Sequence, residues 1–142
     1  MKLLLKRLND RALRPTRSYP DDAGLDLYVM EDLLLPPQGF IDLDTGWAIK
    51  IPDGYWGSVK ARSSTFYKRQ LIVHEGTIDA GYTGRLSVGI YNPTPQYIDL
   101  KTGDRLAQLV ILPLIIYPIE IVDELPHTMR GPEGFGSTGL GR

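Results

Sequence analysis

The sequence has 142 residues, of which 42% are hydrophobic and none is cysteine. This length suits a single domain with a sizeable core, and the lack of cysteine excludes disulfides and thiolate metal sites. With 16 basic and 17 acidic side chains, the formal net charge is -1. That balance excludes a general electrostatic attraction to nucleic acid or to an anionic membrane, so any anion must be bound by a local cluster.

The chain opens with a short apolar run, Leu3 to Leu5, that has charged residues on both sides. The run is too short for a signal-peptide core, and we predict that it forms a first strand. The most apolar stretch, Leu109 to Ile116, is interrupted by Pro113 and is too short to cross a bilayer. These features predict a cytoplasmic protein with no membrane partner and no nucleic-acid partner.

Fifteen glycines and eleven prolines separate short runs rich in β-branched and aromatic residues. Such punctuation is typical of an all-β protein. In Trp56 to Ala61 and Arg85 to Ile90, apolar residues alternate with small or polar ones, as in half-buried strands. A short helix is predicted from Ser64 to Gln70. The predicted strands are Lys2 to Leu8, Leu25 to Met30, Phe40 to Leu43, Trp47 to Ile51, Tyr55 to Ala61, Leu71 to His74, Arg85 to Asn92, Tyr97 to Leu100, Arg105 to Leu112 and Ile119 to Val122.

Residues 1–142 show no repeat, linker or second domain, so we predict one all-β domain, a jelly roll or β-clip with at most one short helix. The glycine-rich tail, residues 130–142, differs from the rest. It cannot form a packed element, and two interpretations stay open: a mobile tail, or a lid. In a lid, backbone amides and Arg130 would bind a phosphate while Phe135 covers a flat ring.

A glycine-rich segment, Gly76 to Gly84, places the carboxylate of Asp79 and the ring of Tyr82 between two predicted strands. Glycine lets the backbone approach a ligand closely, and the carboxylate could act as a base, an acceptor or a metal contact. An ordinary surface turn has the same composition. The segment therefore becomes informative only together with the rest of the chain.

Five short segments contain most of the polar and glycine residues that could form a site. They are Ala23 to Leu27, Ala61 to Thr65, Gly76 to Gly84, Gly103 to Leu109 and Arg130 to Gly139. These segments resemble, in order, the five motifs of the trimeric dUTP pyrophosphatases (dUTPases). Agreement of all five at compatible spacings is far more specific than any one motif. The resemblance implies a jelly-roll homotrimer with active sites at subunit interfaces and hydrolysis of dUTP to dUMP and pyrophosphate with Mg²⁺.

The resemblance implies roles for the residues of the central motif. Asp79 would be the general base that removes a proton from the water attacking the α-phosphorus. Tyr82 would pack against deoxyribose, so that a ribose 2′-hydroxyl clashes. The main-chain atoms of Thr77, Ile78 and Asp79 would read the edge of uracil.

The remaining motifs would hold the triphosphate. By resemblance, Arg62, Ser63 and Ser64 form a cradle and Gln108 adds a phosphate contact. Asp26 would hold the water shell of Mg²⁺, an oxygen arrangement typical of that ion.

The C-terminal motif would supply the lid. By resemblance, Arg130 pairs with the γ-phosphate and Phe135 stacks on uracil. Gly136, Ser137 and Thr138 would wrap the terminal phosphate.

Three positions need separate comment. Ser64 stands where many family members have glycine. The segment between the second and third motifs is short, so that either His74 or Val73 could stand at the position of a base-pocket asparagine. Asp104 is expected to orient Arg62.

Two other functions stay open. One is a dCTP deaminase of the same fold, whose proton shuttle needs a glutamate on the strand after the hairpin; Leu86 to Tyr91 contains no carboxylate. The other is a regulator that binds the nucleotide without turnover. The presence of all the matched site residues favours dUTP hydrolysis over both.

Overall fold

The computed structural model describes residues 1–134, which form ten strands and one helix. In this part of the chain, no helix is long and apolar enough to cross a membrane. The predicted cytoplasmic location stays a prediction. The elements are β1 (Leu4–Arg7), β2 (Gly24–Tyr28), β3 (Leu33–Leu35), β4 (Phe40–Lys50), β5 (Tyr55–Ala61), α1 (Ser63–Arg69), β6 (Ile72–Val73), β7 (Gly76–Ile78), β8 (Arg85–Tyr91), β9 (Ile98–Leu100) and β10 (Arg105–Pro113).

The strands form two four-stranded sheets and a two-stranded ribbon. The first sheet has the order β1-β4-β8-β6, the second β2-β10-β5-β7, and β3 pairs with β9. Every strand pair is antiparallel. Alternate side chains of both large sheets form one buried apolar core, which includes Leu27, Ile49, Val59, Leu86, Ile90 and Leu109. The prediction of an all-β jelly roll with one short helix is confirmed.

The predicted strands Phe40 to Leu43 and Trp47 to Ile51 are one continuous strand, β4. Its pairing with β8 shifts register between Asp44 and Trp47. Gly46 takes a positive φ of 74° there, and its N–H donates to the Asp44 carboxylate at 2.7 Å. The glycine thus marks a bulge, which changes the local register without ending the strand.

The structure differs from the prediction at three further elements. It contains the short strands β3 and β7, which the sequence does not indicate because three residues carry little periodicity. The predicted strand Ile119 to Val122 is absent from the described structure, where Ile119 and Ile121 are 93% and 96% exposed. An alternating apolar pattern forms a strand only where a neighbouring strand pairs with it.

The helix α1 begins one residue earlier than predicted and ends at Arg69, because Gln70 turns into the left-handed region at φ 55°. Its attachment to β10 depends on Thr65. The buried Thr65 hydroxyl donates to the Leu106 carbonyl at 2.6 Å, and the Arg62 N–H donates to the same carbonyl at 3.2 Å. The start of the helix is therefore fixed against the middle of the second sheet.

We expect Thr65→Val to lower the free energy of unfolding by about 1–2 kcal/mol, because it removes a buried hydrogen bond while keeping the shape of the side chain. Urea unfolding measures this change. Thr83→Val, at an exposed threonine, is the matched control and should change stability by less than about 0.5 kcal/mol. Equal effects of the two substitutions would contradict the assigned anchor.

Candidate active site

The turn that carries Asp79 follows β7 directly. β7 pairs with β5 so that Ile78 lies opposite Gly57, which brings the backbone of β7 to the edge of the second sheet. The chain then turns sharply, and the Tyr82 N–H donates to the Asp79 carbonyl at 3.1 Å. The Asp79 side chain is exposed, so its carboxylate is free to meet a ligand or water.

A cavity of about 240 Å³ lies beside this turn, and Thr77, Ile78, Asp79 and Tyr82 all line it. Pockets for drug-sized ligands usually measure roughly 300–1,000 Å³, so this cavity is smaller than a typical pocket for a whole ligand of that size. Arg85 and Ser87 also line the cavity, although none of the sequence motifs includes them. Along β8 these two residues alternate with buried core residues, and this period of two is the sequence signal that could have identified them.

The ring of Tyr82 lies against the segment that follows it in the chain. Its hydroxyl donates to the Arg85 carbonyl at 2.8 Å. A Cβ atom added at Gly84 would lie 2.5 Å from that hydroxyl, so glycine is required for the ring to take this position. Tyr82 is thereby pre-positioned as a flat wall of the cavity.

A second cluster lies at the far end of the second sheet, around the buried carboxylate of Asp26. Arg62 Nε contacts Asp26 Oδ1 at 2.9 Å, and Arg105 Nη1 contacts Asp26 Oδ2 at 3.1 Å. Arg105 Nη1 also donates to the Ser18 hydroxyl at 3.1 Å. One buried carboxylate therefore orients two guanidinium groups.

Ser63 and Ser64 form the first turn of α1, immediately after Arg62. Gln108 lies opposite Asp26 in the pairing of β10 with β2, and its Nε2 donates to the Ala61 carbonyl at 3.2 Å. One region of the fold therefore contains Arg62, Ser63, Ser64, Gln108 and Asp26. Their role as a triphosphate cradle stays a prediction.

The predicted partner of Arg62 is wrong. Asp104 instead pairs with Arg69 near the end of α1, at 2.8 Å, and accepts the Lys101 N–H at 3.0 Å. The reason is local: Asp104 sits in the turn before β10, whereas Arg62 reaches the buried Asp26 on β2.

The carboxylate of Asp79 and the guanidinium of Arg62 do not meet within one chain. In the antiparallel pair of β5 and β7, Ile78 lies opposite Gly57, which places Asp79 beside Trp56. Arg62 follows six residues after Trp56 in the sequence, or about 20 Å along an extended strand. This distance exceeds the reach of the two side chains.

The remaining predicted residues either make other contacts than those of the cavity and the Asp26 cluster, or lie outside the described residues. Arg130 donates to the carbonyls of Glu133 and Gly134 at 3.1 and 3.4 Å. His74 pairs through its backbone with Gly89, and neither it nor Val73 is among the residues that line the cavity. The remaining lid residues, Phe135, Gly136, Ser137 and Thr138, lie outside the described residues.

Residues 1–134 contain no group of three or more histidine, aspartate or glutamate side chains placed to hold a metal ion. Asp26 is the candidate acid, and both of its oxygens already accept from guanidinium groups. Each carboxylate oxygen has a further lone pair, so Asp26 can still accept from a metal-bound water. This donor set fits an ion carried mainly by substrate phosphates and water, as is common for Mg²⁺.

Comparison with known proteins gives consistent results. A dUTPase family model matches residues 10–139. A deoxyuridine 5′-triphosphate nucleotidohydrolase of Paramecium bursaria Chlorella virus 1 is 39% identical over 97% of this chain and 98% of that protein.

Solved structures agree in fold. The Staphylococcus bacteriophage 80alpha dUTPase with dUPNHPP has a TM-score of 0.90 and 32% identity, over 98% of this chain and 99% of that one. A mutant dUTPase from phage phi11 of S. aureus, described with a coordinated structural Mg(II) ion, has a TM-score of 0.80 and 30% identity, over 87% and 98% of the two chains. On the family match and the near full-length identity, this chain belongs to the dUTPase family.

Proposed function

We propose that Asp79 is the general base for dUTP hydrolysis, the reaction of the family to which this chain belongs. The site would be completed by Arg62 of another subunit. The products are dUMP and pyrophosphate. The observation that carries the proposal is that Asp79, Tyr82 and the residues of β7 line one cavity.

Asp79 is suited to proton removal by its exposure. A carboxylate at the mouth of the cavity can accept a proton from water placed near the α-phosphorus, which makes that water a stronger nucleophile. β7 is an edge strand, so those of its backbone N–H and C=O groups that face away from β5 can pair with the donor and acceptor edge of uracil. Tyr82 would lie against the sugar and exclude a 2′-hydroxyl by steric conflict.

The cluster around Asp26 is suited to the triphosphate. Two guanidinium groups and one carboxylate leave one positive charge in excess, and Ser63, Ser64 and Gln108 add hydrogen-bonding groups. Fixed donors of this kind stabilise charge on the nonbridging oxygens in the transition state. When bound, Mg²⁺ would neutralise further phosphate charge, with Asp26 accepting hydrogen bonds from its water shell.

The separation of Asp79 from Arg62 supports a site shared between subunits. The apolar segment after β10 supports the same conclusion, because Ile115, Ile116, Ile119 and Ile121 are between 69% and 96% exposed. Exposed apolar surface of this extent is typical of protein–protein contacts. We propose that the chain forms the homotrimer implied by its motifs and that the tail, residues 130–142, closes over a neighbour's cavity.

We expect Asp79→Asn to reduce kcat for dUTP by at least about 100-fold, while the Kd for dUTP changes little, because the substitution removes the base and conserves its shape. Pyrophosphate release and equilibrium binding measure the two quantities. Asp10→Asn, at an exposed acid remote from the cavity, is the control. Wild-type kcat in the Asp79→Asn protein would show that another group removes the proton.

A mixing experiment tests the shared site. Asp79→Asn and Arg62→Ala chains, each expected to be inactive alone, are unfolded, mixed in equal amounts and refolded together. If the two residues of a site come from different subunits, random assembly leaves roughly a quarter of the sites intact and recovers that fraction of the activity. The Arg62→Ala chain retains the Arg105 partner of Asp26, which supports its folding.

The control is a mixture of Asp79→Asn with Tyr82→Ala, two changes in the same cavity. Every cavity then carries one of the two changes, so that the activity should not exceed about half of that of the Tyr82→Ala protein measured alone. Equal recovery in both mixtures, or none in the first, would contradict the shared site.

Gly24 sets the position of Gln108. A Cβ atom added at Gly24 would overlap Oε1 of Gln108, so Gly24→Ala must displace the carboxamide. We expect a roughly tenfold rise in KM for dUTP, the value of about one lost hydrogen bond to a charged group. Steady-state kinetics of Gln108→Ala should show a similar rise, and the double variant should be no worse than either. Additive effects would mean that Gly24 acts elsewhere.

A further inference from the structure

Lys50 is the last residue of β4, and its ammonium reaches the turn that carries Asp79. It donates to the Ala80 carbonyl at 2.8 Å, to the Ile51 carbonyl at 3.0 Å and to the Asp53 carboxylate at 2.8 Å. An ammonium has three N–H donors, so these three acceptors use all of them. The position lies outside the five motifs.

The turn after Asp79 has little packing to hold it. The side chains of Tyr82 and Thr83 are exposed, as is Gly81, and Ala80 is half-buried. Glycine also adds conformational freedom to this segment. β7 is held by its strand pairing with β5, whereas the turn has no strand partner in the described structure. Individual hydrogen bonds from neighbouring segments must therefore fix the turn.

β4 supplies hydrogen bonds to both ends of this turn. The Ile49 N–H donates to the Gly84 carbonyl at 3.1 Å, while the Lys50 side chain binds the Ala80 carbonyl at 2.8 Å. Ala80 follows Asp79 directly. Fixing its carbonyl restricts the backbone rotations that aim the Asp79 carboxylate.

Asp53 holds the ammonium of Lys50 from the solvent side. The hydrogen bond from Lys50, together with its positive charge, lowers the pKa of the exposed Asp53 carboxyl. Asp53 is thus ionised at neutral pH. An ionised partner on one side and two carbonyls on the other leave the ammonium little freedom to move.

We propose that Lys50 is a positioning residue for dUTP hydrolysis, whose ammonium fixes the turn so that the Asp79 carboxylate faces the attacking water. This inference rests on the proposed role of Asp79 as general base. A base must be held to within about 0.5 Å of its productive position, and a displacement of about 1 Å can cost roughly 100-fold in rate. Lys50 therefore contributes to kcat without touching the substrate.

Lys50→Met tests the proposal, because it keeps the length of the side chain and removes its charge and donors. We expect kcat for dUTP to fall roughly tenfold or more, with KM within about threefold of wild type, since the cavity backbone is held separately by β5. Lys50→Arg should recover part of kcat, because it keeps the positive charge and N–H donors although their geometry differs. Steady-state kinetics and thermal unfolding are measured on each variant.

Lys101→Met is the matched control. Lys101 also lies at the surface and pairs with two carboxylates, Asp99 at 2.9 Å and Asp32 at 3.5 Å, but it is remote from the turn. Its replacement should leave kcat unchanged. Lys50 is half-exposed, so its replacement by methionine is compatible with folding, and Lys50→Gln gives a second neutral variant with a shorter side chain.

Wild-type kcat in both neutral Lys50 variants would overturn the inference, even if they unfold at lower temperature, because Lys50 would then only stabilise the fold. A Lys50→Arg protein no more active than Lys50→Met would also overturn it. Failure of the base assignment is distinguishable, since it would appear as wild-type kcat in Asp79→Asn. Loss of turnover in Asp79→Asn with normal turnover in Lys50→Met would reject the role of Lys50 alone.

Discussion

The pairing of β5 with two neighbours is the constraint on which the rest of the structure depends. One edge of β5 pairs with β10 and the other with β7. The first pairing brings Gln108 beside the start of α1, and the second carries the chain to Asp79 at the opposite end of β5. The same strand therefore positions both halves of the proposed site and keeps them apart within one chain, which is the geometric reason for proposing a site shared between subunits.

Charge balance governs the half of the site around Asp26. A carboxylate is costly to bury unless it is paired and hydrogen-bonded, and here two guanidinium groups pair with it. The carboxylate in turn orients Arg62 through the contact with its Nε at 2.9 Å. If Arg62 binds phosphate as proposed, this ion pair would reduce the conformational entropy lost on binding.

Long strands with alternating apolar residues are the features that the sequence predicts best, because their periodicity extends over many positions. Long alternating runs such as β5 and β8 were predicted almost to the residue, and the glycine motifs located Asp79 and Tyr82. The contact of Lys50 with Ala80 could not be predicted, because the two residues are 30 positions apart and the acceptor is a backbone carbonyl. The ion pair of Asp104 with Arg69 was mispredicted for a related reason: motif order does not specify which nearby cation a side chain reaches.

In the homotrimer that we propose, the apolar segment after β10 makes the stability of the protein depend on its concentration. A separated subunit would present Ile116 and Ile119, 80% and 93% exposed, to water, and would lose the hydrophobic free energy that a partner's surface could supply. Thermal resistance should then rise with protein concentration, as mass action requires of any assembly that buries such surface. Newly synthesised chains that have not yet assembled would expose the same apolar surface. They would therefore be more prone to aggregation than assembled chains.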